Sequence, residues 1–357
     1  MNHHCFSAGL LKNVSRSFYL TIRVLPEALR EPISLAYLLA RAADTIADTQ
    51  IIPPAQRLEL LLSFRSQVNR RESELELVRI EQTLIEHQAN PHERLLLKSL
   101  GPALQLLTSL EARDRTEVMN VVNTLTTGME FDLRTFPLET SGELVALSAM
   151  ADLDHYTYLV AGCVGEFWTK MTVEHTPALR NWNMEEMSIC GIRFGKALQM
   201  TNVMRDCPKD LRIGRCYLPL ELLKKSGLSP DQLLEPANSL KAKAVLFELL
   251  KITLGHYNEA VRYVLAIPQS CGRLRLACLW PILIGLETLN ELAQNKQWLD
   301  PEHPSKISRR RVYRDIALSL PTVGSDTIVK SWLDNGIKKV ERHFQPISST
   351  TTRFPST

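Results

Sequence analysis

Residues 199–219, QMTNVMRDCPKDLRIGRCYLP, decide the fold because their polar side chains recur at the period of an α-helix. Gln199, Asn202 and Asp206 are spaced i, i+3 and i+7, which places them on one helix face. Asp210 follows one turn after Asp206. Carboxylates at this spacing suit Mg²⁺, which takes oxygen ligands and keeps water and substrate phosphates in its shell. The stretch therefore predicts a magnesium site on a helix.

A second pair of carboxylates, Asp44 and Asp48, lies far upstream with the same i, i+4 spacing. Tyr37 and Arg41 precede the pair, so that the four residues form one stripe along a helix. A single acidic pair is common on a solvated helix face. Two such helices with flanking arginines predict instead a cavity between them, in which bridging Mg²⁺ would hold a diphosphate. Arginine suits that role because its guanidinium binds phosphate in fork geometry.

Pro208 interrupts the second acidic pair. Proline removes a backbone donor and its ring clashes with the carbonyl of Met204, four residues earlier. The sequence therefore predicts a helix over about residues 184–210 that kinks or ends at Cys207. Such a break would displace Asp210 from the i+4 position.

Composition indicates a globular chain with a large core, since 45% of the 357 residues are hydrophobic and 23% are charged. No Gly/Ser/Pro-rich linker divides the chain, so we predict one domain over residues 1–345 and a polar, disordered tail over residues 346–357. The net charge of +3 comes with scattered basic residues, which argues against nucleic-acid binding. The pattern indicates no particular oligomeric state.

The cellular location is predicted to be the cytoplasm, with contact at times with the inner face of the membrane. Seven cysteines show no metal-binding spacing and fit small core residues in a reducing compartment. The chain begins with no basic-then-apolar leader. Its longest apolar run, residues 276–286, is too short to span a bilayer and contains Pro281.

The fold class is all-α, because almost every segment carries the 3.6-residue period and strand signals are scarce. Gly128 within a helical segment predicts a close approach by another element. Met129 and Asp132, just beyond it, either line the cavity or are a packed methionine and a surface carboxylate. Helices are predicted over about residues 27–48, 55–68, 73–88, 91–107, 111–136, 141–165, 184–210, 236–266 and 269–296. In the helix over residues 141–165, the small face of Ala161, Gly162 and Gly165 predicts a kink or the admission of a bulky ligand.

Four motifs in this order resemble those of the squalene/phytoene synthases, the head-to-head prenyl transferases. The resemblance covers about residues 8–295 and implies a single-domain isoprenoid-synthase bundle of helices around a central cavity. Because the chain ends without the membrane anchor of eukaryotic squalene synthases, it is most like the bacterial enzymes. The motifs are Ser15-Arg16-Ser17-Phe18; Tyr37, Arg41, Asp44 and Asp48; Tyr156 with Val160-Ala161-Gly162 and Gly165; and Gln199, Asn202, Arg205, Asp206 and Asp210 with Gly214-Arg215 and Tyr217-Leu218-Pro219.

The resemblance implies that two farnesyl diphosphates are joined through presqualene diphosphate to squalene, a sterol, hopanoid or carotenoid precursor, with reduction by NADPH. It implies that Asp44, Asp48, Asp206 and Asp210 hold Mg²⁺. Tyr156 is the candidate for acid–base work, with the departing diphosphate as its partner, because a neutral tyrosine is a weak base. The implied substrate-binding residues are Arg16, Ser17, Phe18, Tyr37, Arg41, Met129, Gln199, Asn202, Arg205 and Arg215.

A basic segment, Lys306-Ile307-Ser308-Arg309-Arg310, resembles one that squalene synthases use for NADPH. In that interpretation Lys306, Arg309 and Arg310 meet the 2′-phosphate of the nucleotide. In the alternative, Ser305 or Ser308 caps a helix and the charges face water. No G-x-G-x-x-G follows a strand, so a nicotinamide would bind in a non-Rossmann manner.

Three other functions remain open. Dehydrosqualene or phytoene synthesis would need no hydride transfer, and tunnel length would separate 15-carbon from 20-carbon substrates. A non-catalytic assembly factor of the same fold should have lost acidic or arginine positions, whereas both acidic pairs are present here. A module that only binds prenyl lipids would show affinity without turnover.

Overall fold

Helices make up about 78% of the computed structural model, which describes residue 11 and residues 18–49, 51–69, 73–136 and 142–344. The all-α prediction is confirmed. The helices are α1 Phe18–Val24, α2 Glu27–Asp48, α3 Pro54–Val68, α4 Glu74–Ile85, α5 Pro91–Leu97, α6 Leu100–Ser109, α7 Ala112–Thr135, α8 Met150–Thr157, α9 Cys163–His175, α10 Met184–Arg212, α11 Leu220–Lys225, α12 Lys243–Ala266, α13 Gly272–Gln294, α14 Arg309–Thr322 and α15 Asp326–Glu341.

The longest helix, α10, lies at the centre of the bundle and packs against α9, α12 and α13. Helix α2, which carries the first acidic pair, packs against α7. A π-helical turn, Tyr158–Gly162, joins α8 to α9. This turn is the irregularity that the small residues predicted, since helices commonly bend at π-bulges.

Glycines let the backbones of α9 and α10 touch. A Cβ atom on Gly165 would lie 1.8 Å from the carbonyl oxygen of Gly191, and one on Gly195 would lie 2.1 Å from that of Ala161. The small-residue face therefore serves helix–helix contact. Gly128 of α7 likewise meets the π turn, where a Cβ would lie 2.6 Å from Cγ1 of Val160. The close approach predicted for Gly128 is confirmed.

The predicted helix over residues 141–165 is wrong at its start. Two-residue strands, β1 Val145–Ala146 and β2 Arg215–Cys216, pair in parallel. Helix α8 begins only at Met150, because the Asp152 carboxylate accepts a hydrogen bond of 2.9 Å from the backbone N–H of Ala149.

Two further boundaries differ from prediction. The segment over residues 91–107 forms two helices, α5 and α6, because Pro102 has no N–H to donate to the carbonyl of Lys98. The segment over residues 236–266 begins as a 3₁₀ turn, Pro236–Ser239, and α12 starts at Lys243. Tertiary contacts hold that turn, since the Trp298 indole donates a 3.0 Å hydrogen bond to the carbonyl of Ser239.

Pro208 does not end its helix, which corrects the predicted break at Cys207. Helix α10 runs on to Arg212, whose guanidinium donates to the carbonyl of Pro208. Cys207, Pro208 and Leu211 are buried, so apolar packing holds the last turns despite the missing backbone donor. Asp210 therefore remains on the helix one turn after Asp206.

The apolar helix near the C-terminal end belongs to the core of the bundle. Among the described residues, Gln269–Gln294 is the one helical span long and apolar enough to cross a membrane, and 78% of its apolar window is buried inside the fold. The buried free thiols of the described residues, Cys163, Cys190, Cys207, Cys216 and Cys278, are the predicted core cysteines.

Candidate active site

A polar cavity of about 190 Å³ lies where α2, α7, the π turn, α10 and β2 converge. The structure thus brings residues from three of the four sequence motifs, together with Met129, to one place. The predicted residues that line the cavity are Asp44, Asp48, Met129, Tyr156, Gln199 and Arg215, and Asp132 joins them.

The first acidic pair lines this cavity, and Asp206 and Asp210 of the second pair are not among its lining residues. The two pairs are nevertheless close enough for their charges to interact, since Asp48 acts on both Asp44 and Asp210. Burial, followed by the charge of Asp48, raises the pKa of Asp44 to about 6. Burial, followed by the charge of Asp206, raises the pKa of Asp210 to about 7, and the charges of Asp132 and Asp48 act in the same direction. The facing carboxylates therefore form a concentrated negative site, as expected of a place that receives a cation.

Asp132 is an acceptor shared by two tyrosines. The hydroxyl of Tyr217 donates to its Oδ2 at 2.8 Å and that of Tyr156 lies at 3.4 Å, while the tyrosine rings stack with centroids 4.8 Å apart. Burial raises the pKa of Asp132 to about 7, although the Arg215 guanidinium, 3.7 Å from Oδ2, opposes the shift. Its other oxygen, Oδ1, is buried and has no hydrogen-bond partner among the described residues. The surface alternative for Asp132 is therefore wrong.

The small parallel sheet positions Arg215 and Tyr217. Gly214 adopts a φ of +82° at the turn after α10, as glycine readily does. Its carbonyl accepts a 3.0 Å hydrogen bond from the N–H of Val145, and that of Cys216 accepts one of 3.0 Å from Leu147. These bonds fix the strand that carries Arg215 and bring Tyr217 to Asp132 at the edge of the cavity. Tyr217 belongs to the fourth sequence motif, but no spacing in the sequence predicts its contact with Asp132.

Two of the predicted phosphate-binding arginines pair with the candidate metal ligands. Arg41 forms an ion pair with Asp44 and a second one of 2.7 Å with Glu93 of α5. Arg205 grips Asp206 through both nitrogens of its fork, with Nε 3.0 Å from Oδ1. Sequence reasoning missed Glu93, because it lies 52 residues from Arg41 on a helix without any motif.

The donor set fits magnesium that arrives with phosphate oxygens. Within the described ranges, no three acidic, histidine or cysteine side chains are grouped closely enough to hold a metal ion alone. Mg²⁺ is usually bound through one or two carboxylates plus water and substrate phosphates. The mutually repelling carboxylates of α2 and α10 and the unpartnered Oδ1 of Asp132 provide oxygen donors of that kind.

Two further cavities adjoin the site. One of about 430 Å³ is lined by apolar and aromatic side chains of α9, α10, α12 and α13, together with Tyr37, and it shares Val160 with the polar cavity. The other, of about 190 Å³, runs past Arg205 to Trp280 and Val312. Both reach the same residues, which are Thr21, Leu198, Asn202 and Pro281. The polar cavity thus borders the larger apolar arm at Val160, and the larger arm meets the smaller one at Asn202.

The remaining predicted residues lie elsewhere. Arg16 and Ser17 fall outside the described residues, and Phe18 begins α1 but its side chain is also outside them. Ser308 caps α14 by accepting from the N–H of Arg311 at 3.3 Å, as the alternative for the basic segment required. The residues predicted to meet NADPH, Lys306, Arg309 and Arg310, are exposed at the start of this helix and line none of the three cavities.

Comparison with known proteins identifies the family of the chain. The squalene/phytoene synthase family model matches residues 11–311. The chain is 28% identical to a squalene synthase of Botryococcus braunii over 82% of this chain and 58% of that protein, and 26% identical to a squalene synthase of Candida albicans over 81% and 62%. It is also 28% identical to a bifunctional lycopene cyclase/phytoene synthase of Gibberella fujikuroi over 76% of this chain and 45% of that protein.

Solved structures share the fold. A TcSQS complex with the ligand BPH1237 superposes with a TM-score of 0.73 at 21% identity, over 96% of this chain and all of that one. A dehydrosqualene synthase with ligand gives a TM-score of 0.59 at 21% identity, over 93% and 97%. The chain belongs to the squalene/phytoene synthase family, and it spans about three fifths or less of the length of these curated relatives.

Proposed function

We propose that this protein joins two farnesyl diphosphates head to head, through presqualene diphosphate, to squalene, in a reaction that depends on Mg²⁺ and NADPH. The observation that carries the proposal is a polar cavity lined by Asp44, Asp48 and Asp132 that borders one apolar arm, which in turn meets a second arm at Asn202. A site for two prenyl diphosphates needs charge at one end and two separate apolar channels. The relatives named as squalene synthases support the same choice.

In this proposal Asp44, Asp48, Asp206 and Asp210 hold magnesium. When bound, the metal supplies positive charge that stabilises a departing diphosphate. Gln199 and Asn202 orient the diphosphates through their amides. The arginines Arg41, Arg205 and Arg215 lie beside the carboxylates, where a guanidinium can exchange a carboxylate partner for phosphate.

The group formed by Tyr156, Tyr217 and Asp132 assists proton removal without itself taking the proton. Burial raises the pKa of Tyr156 well above its usual value, so this hydroxyl stays protonated and donates rather than accepts. A proton lost from the substrate therefore leaves through the departing diphosphate, and Tyr156 orients that acceptor. The apolar walls of the two arms exclude water from cationic species during the reaction.

We propose that NADPH binds at the basic residues at the start of α14. Lys306, Arg309 and Arg310 are exposed there, and the same helix turns Val312 and Ile316 toward the smaller apolar arm. A nucleotide phosphate on these charges would lie on the outer side of a helix whose inner side lines the site. Dehydrosqualene synthesis is the second candidate, favoured if these charges only cap the helix, and phytoene synthesis is the corresponding reaction on 20-carbon substrates.

We also infer a cytoplasmic location with peripheral membrane contact, because a hydrocarbon product partitions into lipid.

A product assay tests the function. Purified protein is incubated with farnesyl diphosphate and Mg²⁺, with and without NADPH, and the extracted lipids are identified by mass. Squalene that forms only with NADPH supports the proposal. Dehydrosqualene or the cyclopropyl diphosphate under both conditions removes the NADPH role and leaves the joining of farnesyl units. No product from 15-carbon or 20-carbon diphosphates would point to a binding or assembly role.

A further inference from the structure

One end of the larger apolar cavity lies near the carboxylates and the other lies away from them. Val160 of the π turn lines both the larger apolar cavity and the polar cavity. Trp168 is the last residue of α9 that lines the apolar cavity. On α10 the lining runs from Asn202, one turn before Asp206, back to Gly191. The two helices lie antiparallel in contact, since Gly165 meets Gly191 and Ala161 meets Gly195. Trp168 and Gly191 therefore mark the end of the cavity that is farthest from the carboxylates.

The length of the cavity can be estimated from the residues of α10 that line it. Asn202 and Gly191 are eleven residues apart on α10, and a rise of 1.5 Å per residue makes this about 16 Å. With carbon–carbon bonds of about 1.5 Å, each isoprene unit adds about 5 Å to an extended chain, so a farnesyl chain is about 15 Å long and a geranylgeranyl chain about 20 Å. The cavity accommodates three units and is short by roughly the length of the fourth.

Aromatic side chains form the far end. The ring of Tyr263 packs against Trp182 and Phe194 with centroids 5.4 Å and 6.2 Å away. The Tyr263 hydroxyl forms a 3.0 Å hydrogen bond with Oγ1 of Thr169, the residue next to Trp168. This bond fixes the position of the Tyr263 ring. No charged side chain lines this cavity among the described residues, and burial raises the pKa of the nearby Cys278 thiol to about 12. The end of the cavity is therefore apolar and lined by aromatic rings.

We propose that Trp168 is the specificity-determining residue that limits the bound chain to three isoprene units, so that the site takes 15-carbon and rejects 20-carbon diphosphates. This inference rests on the proposed prenyl diphosphate function. Trp168 differs from the other residues of the far end because it lies on α9, which continues directly from the π turn that carries Val160. It also takes no part in the hydrogen bond between Thr169 and Tyr263. Truncating the indole lengthens the cavity and leaves the Tyr263–Thr169 bond intact.

The test compares binding of unreactive thiolo analogues of farnesyl and geranylgeranyl diphosphate, with Mg²⁺, by calorimetry. In the wild-type protein the 15-carbon analogue should bind at least about tenfold more tightly, because a site too small by several methylenes rejects the longer chain. Trp168→Ala should reverse or abolish that preference, and Trp168→Phe should shift it part of the way. The matched control is Val164→Ala, one turn earlier on the same face, which widens the cavity without lengthening it and should leave the ratio within about twofold.

Because binding rather than turnover is measured, failure of the Trp168 role can be distinguished from failure of the proposed function. An unchanged preference in Trp168→Ala, or in Trp168→Phe should the alanine variant not fold, overturns the role of Trp168 and leaves the proposed function standing. Equal affinity of the wild-type protein for both analogues does the same. Failure of the wild-type protein to bind either analogue overturns the proposed function, and this inference with it.

Discussion

At the residue scale, the site depends on carboxylates that are held close together. Asp44 and Asp206 each have an arginine partner, and each faces a second carboxylate one turn further along its helix. Neither residue lies in the apolar core. A change of either carboxylate to an amide keeps the shape and removes the charge.

We expect Asp44→Asn or Asp206→Asn to lower turnover of farnesyl diphosphate by at least about 100-fold, because loss of a proposed metal ligand would remove several kcal/mol of charge stabilisation. The melting temperature should stay close to that of the wild-type protein. The matched control is Asp334→Asn, which removes the exposed i, i+4 partner of Lys330 on α15. Rates near wild type in either active-site variant would refute the metal assignment.

The same residues show what the sequence could predict. The spacing of Asp44 and Asp48, and of Asp206 and Asp210, was sufficient because helical periodicity is a local property. The contacts that complete the site were not predictable in this way. Tyr217 reaches Asp132 across 85 residues, and no pattern in either segment encodes that distance.

At the element scale, the contact between α9 and α10 sets the width of the larger arm. The backbones touch only because Gly165, Gly191 and Gly195 lack side chains. A methyl group at this crossing must push the helices apart, since backbone atoms cannot rotate away.

We expect Gly165→Ala to reduce the free energy of unfolding by about 2–4 kcal/mol, because overpacking at a rigid contact cannot be relieved by a rotamer change. Chemical denaturation measures the effect. The matched control is Gly255→Ala in α12, where an added Cβ meets nothing within 4 Å. That variant should instead gain about 0.5–1 kcal/mol from helix propensity. Equal effects of the two substitutions would contradict a backbone contact at Gly165.

The basic start of α14 is a second element with a distinct test. Changing both Lys306 and Arg309 to Ala should raise the KM for NADPH several-fold more than that for farnesyl diphosphate, because phosphate contacts to these charges are lost. The comparison variant replaces Lys224 and Lys225, exposed at the end of α11, with Ala. An unchanged NADPH dependence would leave the segment with its capping role alone.

Element boundaries show where sequence reasoning fails. The helices that carry the acidic pairs were predicted closely, because their apolar and polar positions alternate at a regular period. Strand β1 was missed because Val145 and Ala146 are ordinary helix or strand residues, and their partners lie in a distant segment. Pro208 led to a predicted helix break that does not occur, since burial of the surrounding face outweighs the lost backbone donor.

At the scale of the whole molecule, three carboxylates with raised pKa values make stability depend on pH. The pKa values of Asp44, Asp132 and Asp210 are raised to between about 6 and about 7 in the folded chain, mainly by burial. Between roughly pH 4 and pH 7 the folded protein therefore binds more protons at these groups than the unfolded chain. Their contribution to stability is present below this window and is lost as the pH rises through it.

We therefore expect Mg²⁺ with pyrophosphate to raise the melting temperature more at pH 8 than at pH 6, because protons compete with the cation for the same oxygens. Thermal unfolding at the two pH values, with and without these ions, measures the difference. The double variant Asp44→Asn/Asp210→Asn should lose most of the ion-dependent gain. A gain in the wild-type protein that is equal at both pH values would contradict the raised pKa values.

The pairing of β1 with β2 also has a consequence for the order of folding. Val145 and Arg215 are neighbours in space but 70 residues apart in sequence, and closing such a loop costs about 4 kcal/mol of chain entropy. Two residue pairs of ladder cannot offset that cost alone, so α8, α9 and α10 must pack first. Arg215 and Tyr217 then reach the cavity as one of the last steps of folding, and a chain arrested before that step would hold its acidic helices without a finished active site.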